Sequence, residues 1–214
     1  GEPYYSYYGY EYAGVDPNTG RESYYLNNGT SNARNTTVNP NEAKKVIIGN
    51  HETKIEGGFS NNITWKFIDF GLNFTFSLGG KAFDAATWQH NNGNYTFGGQ
   101  LPTYYDINKM WTGPGDTNAS QPVFQYGNSS EVSSRWLMPT DYLRLKSLTL
   151  GFTAPSQWVT RIGLSKARAF FSASNLLTWK SKDLYVDPEM RGDGVCTFQT
   201  PALRTFAFGI ELGF

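Results

Sequence analysis

Residues 204–214, R-T-F-A-F-G-I-E-L-G-F, alternate without a break. Phe206, Phe208, Ile210, Leu212 and Phe214 fall on one face of an extended chain, and Thr205, Ala207, Gly209, Glu211 and Gly213 on the other. This period of two predicts a strand with one apolar face, which needs something apolar to receive it. Residues 54–67 repeat the pattern nearly unbroken, with Ile55, Gly57, Phe59, Asn61, Ile63, Trp65 and Phe67 on one side and Lys54, Glu56, Gly58, Ser60, Asn62, Thr64 and Lys66 on the other. From Phe70 the parity switches, so that Phe70, Leu72, Phe74, Phe76 and Leu78 oppose Gly71, Asn73, Thr75 and Ser77. An antiparallel hairpin with an even loop demands that switch, because cross-strand partners share a face. The expected register pairs Phe67 with Phe70 and Ile63 with Phe74. A two-residue turn at Ile68-Asp69 and a four-residue loop from Phe67 to Phe70 both preserve the faces.

In residues 141–152, D-Y-L-R-L-K-S-L-T-L-G-F, the apolar positions are odd at Leu143 and Leu145 and even at Leu148, Leu150 and Phe152. The slip at Lys146-Ser147 predicts a β-bulge, which leaves Arg144, Lys146, Thr149 and Gly151 on the polar side. Ala154-Pro155 ends this strand. Ala167, Ala169, Phe171 and Ala173 then begin another, which reaches Thr178. An opening strand is expected in the aromatic run Y-Y-S-Y-Y-G-Y-E-Y at 4–12.

The connections are of two kinds. Those after Phe67 and Pro155 are short or modest. Those after Tyr12, Gly80 and Trp179 are long and carry turn chemistry such as Asp16-Pro17-Asn18-Thr19-Gly20. The Asp16 segment lacks the carboxylates at fixed spacing that a calcium loop needs, and reads as a plain turn. Residues 81–140 are far longer than an ordinary connection. Their aromatics, including Trp88, Tyr104, Tyr105 and Trp111, predict a folded loop.

Charged residues are 17% of the chain against a typical ~25%, and aromatics are 16%. Lys plus Arg and Asp plus Glu are 18 each, so no net field recruits nucleic acid. No stretch approaches the ~18 apolar residues of a membrane helix. Gly1-Glu2-Pro3 follows no leader pattern and no initiator Met, which reads as a mature or internal segment. Cys196 is the single cysteine, so neither an internal disulfide nor a thiolate metal cage forms, and no cofactor is expected. Seven N-x-S/T sequons, two of them inside expected strands at Asn62 and Asn73, follow from the abundance of Asn and Thr.

Two architectures accept these strands: a soluble sandwich, whose apolar faces meet in a core, and a membrane barrel, whose apolar face meets lipid. Strands of ~9–11 residues, the length that crosses the hydrocarbon, favour the barrel. So do aromatics near strand ends, at Trp65, Tyr142 and Trp179, and the alternation of short and long connections.

Four motifs resemble one family. They are G-V-D-P-N-T-G at 14–20, W-K-F-I-D-F-G-L-N-F-T-F at 65–76, D-Y-L-R-L-K-S-L-T-L-G-F at 141–152, and S-A-S-N-L-L-T-W at 172–179 followed by D-P-E at 187–189. In order and spacing the chain is similar to the C-terminal end of the SusC-like (RagA-like) TonB-dependent transporters of the Bacteroidetes outer membrane. It departs from them at I-G-N-H-E-T, 48–53, where the family often carries a Pro-containing segment.

The resemblance implies an all-β fold: about six antiparallel transmembrane strands of a barrel of roughly 22, with long extracellular loops and a periplasmic C-terminus. The plug domain and the TonB box would lie outside these 214 residues. The whole protein would import glycans or oligopeptides, with TonB, a SusD-like surface lipoprotein, the remaining strands and plug, and outer-membrane lipid as its partners. Lys54, Glu56, Asn73, Arg144, Lys146 and Glu211 would face the lumen. Phe206, Phe208, Ile210, Leu212 and Phe214 would form the assembly signal. Trp88, Tyr104, Tyr105 and Trp111 are candidates for ligand or partner contact, against the plainer reading that they pack the loop itself.

A soluble carbohydrate-binding β-sandwich is the alternative. A glycoside hydrolase would need paired carboxylates, for which Asp187 and Glu189 qualify by type alone; in a Pro-containing turn they read as turn-stabilising, and no enzymatic role is expected.

Overall fold

The computed structural model of the chain describes residues 1–91, 106–123, 130–189, 193–197 and 200–214. In chain order its strands are β1 (Ser6–Gly9), β2 (Tyr12–Val15), β3 (Glu22–Tyr25), β4 (Thr36–Thr37), β5 (Val46–Asn50), β6 (Ile55–Trp65) and β7 (Ile68–Leu78). After these come β8 (Lys81–Asp84), β9 (Leu137–Pro139), β10 (Tyr142–Thr153), β11 (Lys166–Lys180), β12 (Val195–Cys196) and β13 (Thr205–Gly213). The described residues also hold two short α-helices, α1 (Ala85–Asn91) and α2 (Ser156–Val159), and four 3-10 turns, and no described helix is long and apolar enough to cross a membrane.

The chain forms two compact units. One comprises Thr53–Gly80, Pro139–Glu189 and Thr200–Phe214. It is a single antiparallel sheet in the order β13-β11-β10-β7-β6. Period two survives across all five strands, and most apolar side chains meet apolar counterparts, although Leu72 stands opposite Asn61 and Phe76 opposite Gly57. One row runs Ile63, Phe70, Leu150, Phe171, Phe208, and the next Trp65, Ile68, Phe152, Ala169, Ile210. The bulge predicted at Lys146-Ser147 is present: the register shifts between Leu145 and Ser147 against both neighbouring strands. That extra residue keeps Leu143 and Leu145 in the same face as Leu148 and Leu150.

The apolar face is bare, with Phe208 82% and Ile210 77% exposed. Beta strands β6 and β13 are the two edges, and the sheet does not close on itself among the described residues.

Three expectations differ from the structure. The hairpin turns at Lys66-Phe67, so Trp65 pairs with Ile68 and Ile63 with Phe70. Lys66 takes the left-handed conformation with φ 54°, and the Phe67 carbonyl accepts a hydrogen bond from the Thr153 amide at 2.8 Å. This register displaces the expected pairing by an even number of residues, so the faces are unchanged. It also keeps Ile68 in the apolar face and Asp69 in an ion pair with Arg168. Second, the opening aromatic run does not join the large sheet: β1 pairs with β5 in a two-stranded sheet. The expected sixth strand is thus four residues long, too short for a spanning strand. Third, Tyr142 stands opposite Ser77 and Lys180, in the polar face, whereas Trp65 and Trp179 belong to the apolar face.

The other unit comprises Gly1–Glu52, Lys81–Met138 and Met190–Gln199. It holds three small sheets, β1-β5, β2-β3-β4 and β12-β8-β9, with a core of Phe83, Ala85 and Trp136. Its buried polar centre is Glu22, which accepts hydrogen bonds from Ser130 Oγ (2.8 Å) and the Tyr24 hydroxyl (2.7 Å) and pairs with Arg135. Burial, and then the Glu22 charge, push the Tyr24 hydroxyl far above its usual range. The Asp16 segment is the plain turn expected. Asp16 Oδ1 accepts from the Asn18 amide, the Thr19 amide and Thr19 Oγ1, and the Thr19 hydroxyl bond leads in holding the carboxyl below its usual range.

Candidate functional site

The face of the large sheet opposite its apolar side carries the chemistry. Strand alternation puts Glu56, Asn73, Arg144 and Glu211 on it, as the sequence predicts, with Lys54 just before β6 and Lys146 in the bulge of β10. Its charges gather in two belts. Between them runs a neutral band of hydroxyls and amides: Ser60, Asn73, Ser147 and Ser174 in one cross-strand row, and Asn62, Thr149 and Ser172 in the next.

The belt on the side of the long connections is centred on Arg144, whose side chain is 2% exposed. Such a charge is stable when buried only if its donors are matched. Arg144 Nη2 donates to Asp187 Oδ1 at 2.7 Å, Nη1 to Glu189 Oε2 at 2.7 Å, and Nε to Thr178 Oγ1 at 3.1 Å. Lys146 Nζ, displaced by the bulge, reaches the two Glu189 oxygens at 2.9 and 2.7 Å. Asp187 also accepts from the backbone amides of Glu189 and Ala202, at 3.0 and 3.1 Å. Burial opposes its charge, but these amides and the Arg144 guanidinium outweigh that and hold the carboxyl below its usual range. Both carboxylates of D-P-E thus engage one guanidinium, an arrangement that fastens a loop to the sheet.

The belt on the side of the short turns is made of Asp69, Arg168, Lys166 and Glu211. Arg168 Nη2 meets Asp69 Oδ2 at 2.6 Å, and Lys166 Nζ meets Glu211 Oε1 at 2.6 Å. Asp69 and Arg168 lie on β7 and β11, with β10 between them. Gly151 of β10 is what lets them meet: a Cβ there would collide with the Asp69 carboxylate. Sequence reasoning did not single out Asp69, Arg168 or Lys166. The mid-strand glycine flanked by Leu150 and Phe152 was their one available signal.

Of the loop aromatics, Trp88 donates its indole N–H to the Ser130 carbonyl at 2.9 Å and sits 6.0 Å from the Phe83 ring. Trp111 donates to the Pro17 carbonyl at 2.9 Å and packs over Gly20, whose φ of 70° and lack of a Cβ make room for the ring. Both indoles are engaged inside their own unit. Tyr104 and Tyr105 lie outside the described residues.

No protein-family model matches the chain. Among curated proteins it is 28% identical, over all of its length, to TonB-dependent receptor P3 of Formosa agariphila, of which it spans 22%. It is 23% identical over 67% of its length to TonB-dependent receptor P26 of the same organism, covering 14% of that protein. The chain therefore spans about a fifth or less of the relatives it matches. Among solved structures, the RagAB peptide transporter superimposes with a TM-score of 0.79 at 26% identity, over 98% of this chain and 23% of the other. The RagAB importer in its closed-closed state gives 0.80 at 27% identity, over the same shares. The homologues of this chain are thus TonB-dependent receptors and its structural neighbours the SusC-like RagAB transporter, in keeping with the resemblance carried by its motifs.

Proposed function

We propose that this chain is wall and loop of an outer-membrane TonB-dependent transporter that imports oligomeric nutrients, oligopeptides or glycans, together with a SusD-like surface lipoprotein. The observation that carries this reading is the five-stranded sheet, with one face bare and apolar but for Asn61 and the other hydroxyl-rich and charged. In such a wall the apolar face meets lipid and the polar face meets a wet lumen. Glu56, Asn73, Arg144, Lys146 and Glu211 then face the lumen, with Lys54 at its rim. The long connections are extracellular, and the short turns and the end of β13 periplasmic.

The named peptide cargo of the RagAB neighbours supports oligopeptides as substrates. The neutral band of Ser, Thr and Asn supports an uncharged, hydrogen-bonding polymer of either kind. The residues from Phe206 to Phe214 are the segment that we assign to recognition by the assembly machinery.

Substituted-cysteine labelling in the complete transporter tests the orientation of the wall. With Cys196 replaced by Ser, a cysteine at Phe208 should resist a membrane-impermeant maleimide while one at Ser172 accepts it. The opposite pattern, or a protein that stays monodisperse without detergent, rules the wall reading out and favours a soluble sandwich.

A further inference from the structure

The apolar face is not uniformly rough. A groove of about 470 Å³ opens on it, walled by Ile68, Phe152, Phe171, Phe208 and Ile210 and floored by Ala169. It has a simple origin. In the row Trp65, Ile68, Phe152, Ala169, Ile210 four side chains are large and one is a methyl, so the sheet has a trough where β11 passes between β10 and β13. The Phe171 and Phe208 rings, 4.8 Å apart, close one end of it.

The groove lies toward the short-turn end of the sheet, one row in from the Ala167–Leu212 pair, and those turns carry unmatched positive charge. Lys66 is exposed, held by its left-handed backbone at the hairpin tip, with Nζ 5.2 Å from the Trp65 ring centre. Arg161 is exposed in the short 3-10 turn that follows α2. Neither forms an ion pair among the described residues. The acids at this end, Asp69 and Glu211, belong to the polar face and are already paired with Arg168 and Lys166. Trp158 and Ile162, 59% and 71% exposed, flank Arg161 in sequence and supply the amphipathic contacts of a membrane interface.

We propose that this groove is a binding site for one acyl chain of a glycerophospholipid whose phosphate is held by Lys66 and Arg161. The site rests on the reading of the apolar face as lipid-facing. Apolar burial along the trough fixes the chain, and the two cations match the phosphate at the depth where the strands end. A neutral apolar partner, such as a protein helix, would leave both cations without a counter-charge.

The test uses the complete transporter, purified in mild detergent, equilibrated with phosphatidylglycerol and weighed by native mass spectrometry. The wild type should retain one phosphatidylglycerol that Ala169→Phe loses, with retention about tenfold lower. The variant adds bulk to an outward-facing position and leaves the sheet intact. The Lys66→Ala/Arg161→Ala double variant should lose retention to a similar degree while keeping the groove. Undiminished retention in either variant overturns the proposal. If the protein needs detergent but neither variant changes retention, the groove alone is wrong; if it is monodisperse without detergent, the lipid-facing reading falls with it.

Discussion

Arg144 and Asp187 are joined at 2.7 Å, and the Arg144 side chain is almost fully buried against the loop that carries D-P-E. Arg144 stands on β10, and Asp187 reaches it from the connection that follows β11. Replacing Arg144 by Leu leaves Asp187 with its two backbone amides alone, while Lys146 still holds Glu189, and breaking such a buried pair costs up to about 3–5 kcal/mol. Protease nicking between Lys180 and Leu203 should become rapid in Arg144→Leu. An Asp187→Asn/Glu189→Gln double variant, which removes the charges facing Arg144, should show a deficit far from additive with it.

The same contact predicts a pH dependence with a definite sign. The Asp187 carboxyl titrates below its usual range in the folded protein, so its stabilising charge is fully present above the usual carboxylate value. It is lost only as pH falls through the depressed folded value. Loop protection against protease should therefore hold from neutral pH down to the ordinary carboxylate range and fail in stronger acid. Asp187→Asn should remove that acid transition.

Gly151 should not accept a side chain. Ala at this position drives into the Asp69 carboxylate and separates it from Arg168, an overpacking cost of about 1–3 kcal/mol. Combining Gly151→Ala with Asp69→Ala should recover part of the loss, read as the folded fraction of the complete transporter by heat-modifiable gel mobility.

The two faces of β13 should respond oppositely to charge. Phe206→Arg, in the central row with Asn61, Leu72, Leu148 and Ala173, should cost about 2–4 kcal/mol and lower the folded yield accordingly. Glu211→Gln, on the other face, loses only a half-exposed pair with Lys166 and should fold normally. Phe214→Ala should reduce assembly into the outer membrane without changing the mobility of the molecules that do fold.

Much of the large sheet was legible because its strands are long and one face of each is apolar. The parity slip between Leu145 and Leu148 located the bulge, since a single face can be kept only by an extra residue there. The hairpin turn was not legible: Ile68-Asp69 and Lys66-Phe67 give the same faces, and neither pair is a strong turn former. The turn at Lys66-Phe67 leaves Asp69 within the strand and paired with Arg168, a contact between residues far apart in sequence that alternation does not encode. The small sheets of the other unit escaped because strands such as Ser6–Gly9 and Glu22–Tyr25 are four residues long, too short to display a period. Arg144 was read as a polar-face residue, but its burial by Asp187 and Glu189 depends on where a loop folds back, which alternation does not encode.

The order of the sheet also carries a consequence for how it forms. Beta strands β6 and β7 close through two residues, and β10 and β11 through a modest connection, so each hairpin can zip early on its own. The seam between β7 and β10 is different, because residues 79–141 lie between its halves and must be looped out before the first hydrogen bond is made. That seam should be the late, slow step, with two preformed hairpins waiting for each other. Halving the intervening segment should then speed assembly about threefold, through the ~0.6 kcal/mol of closure entropy that it removes.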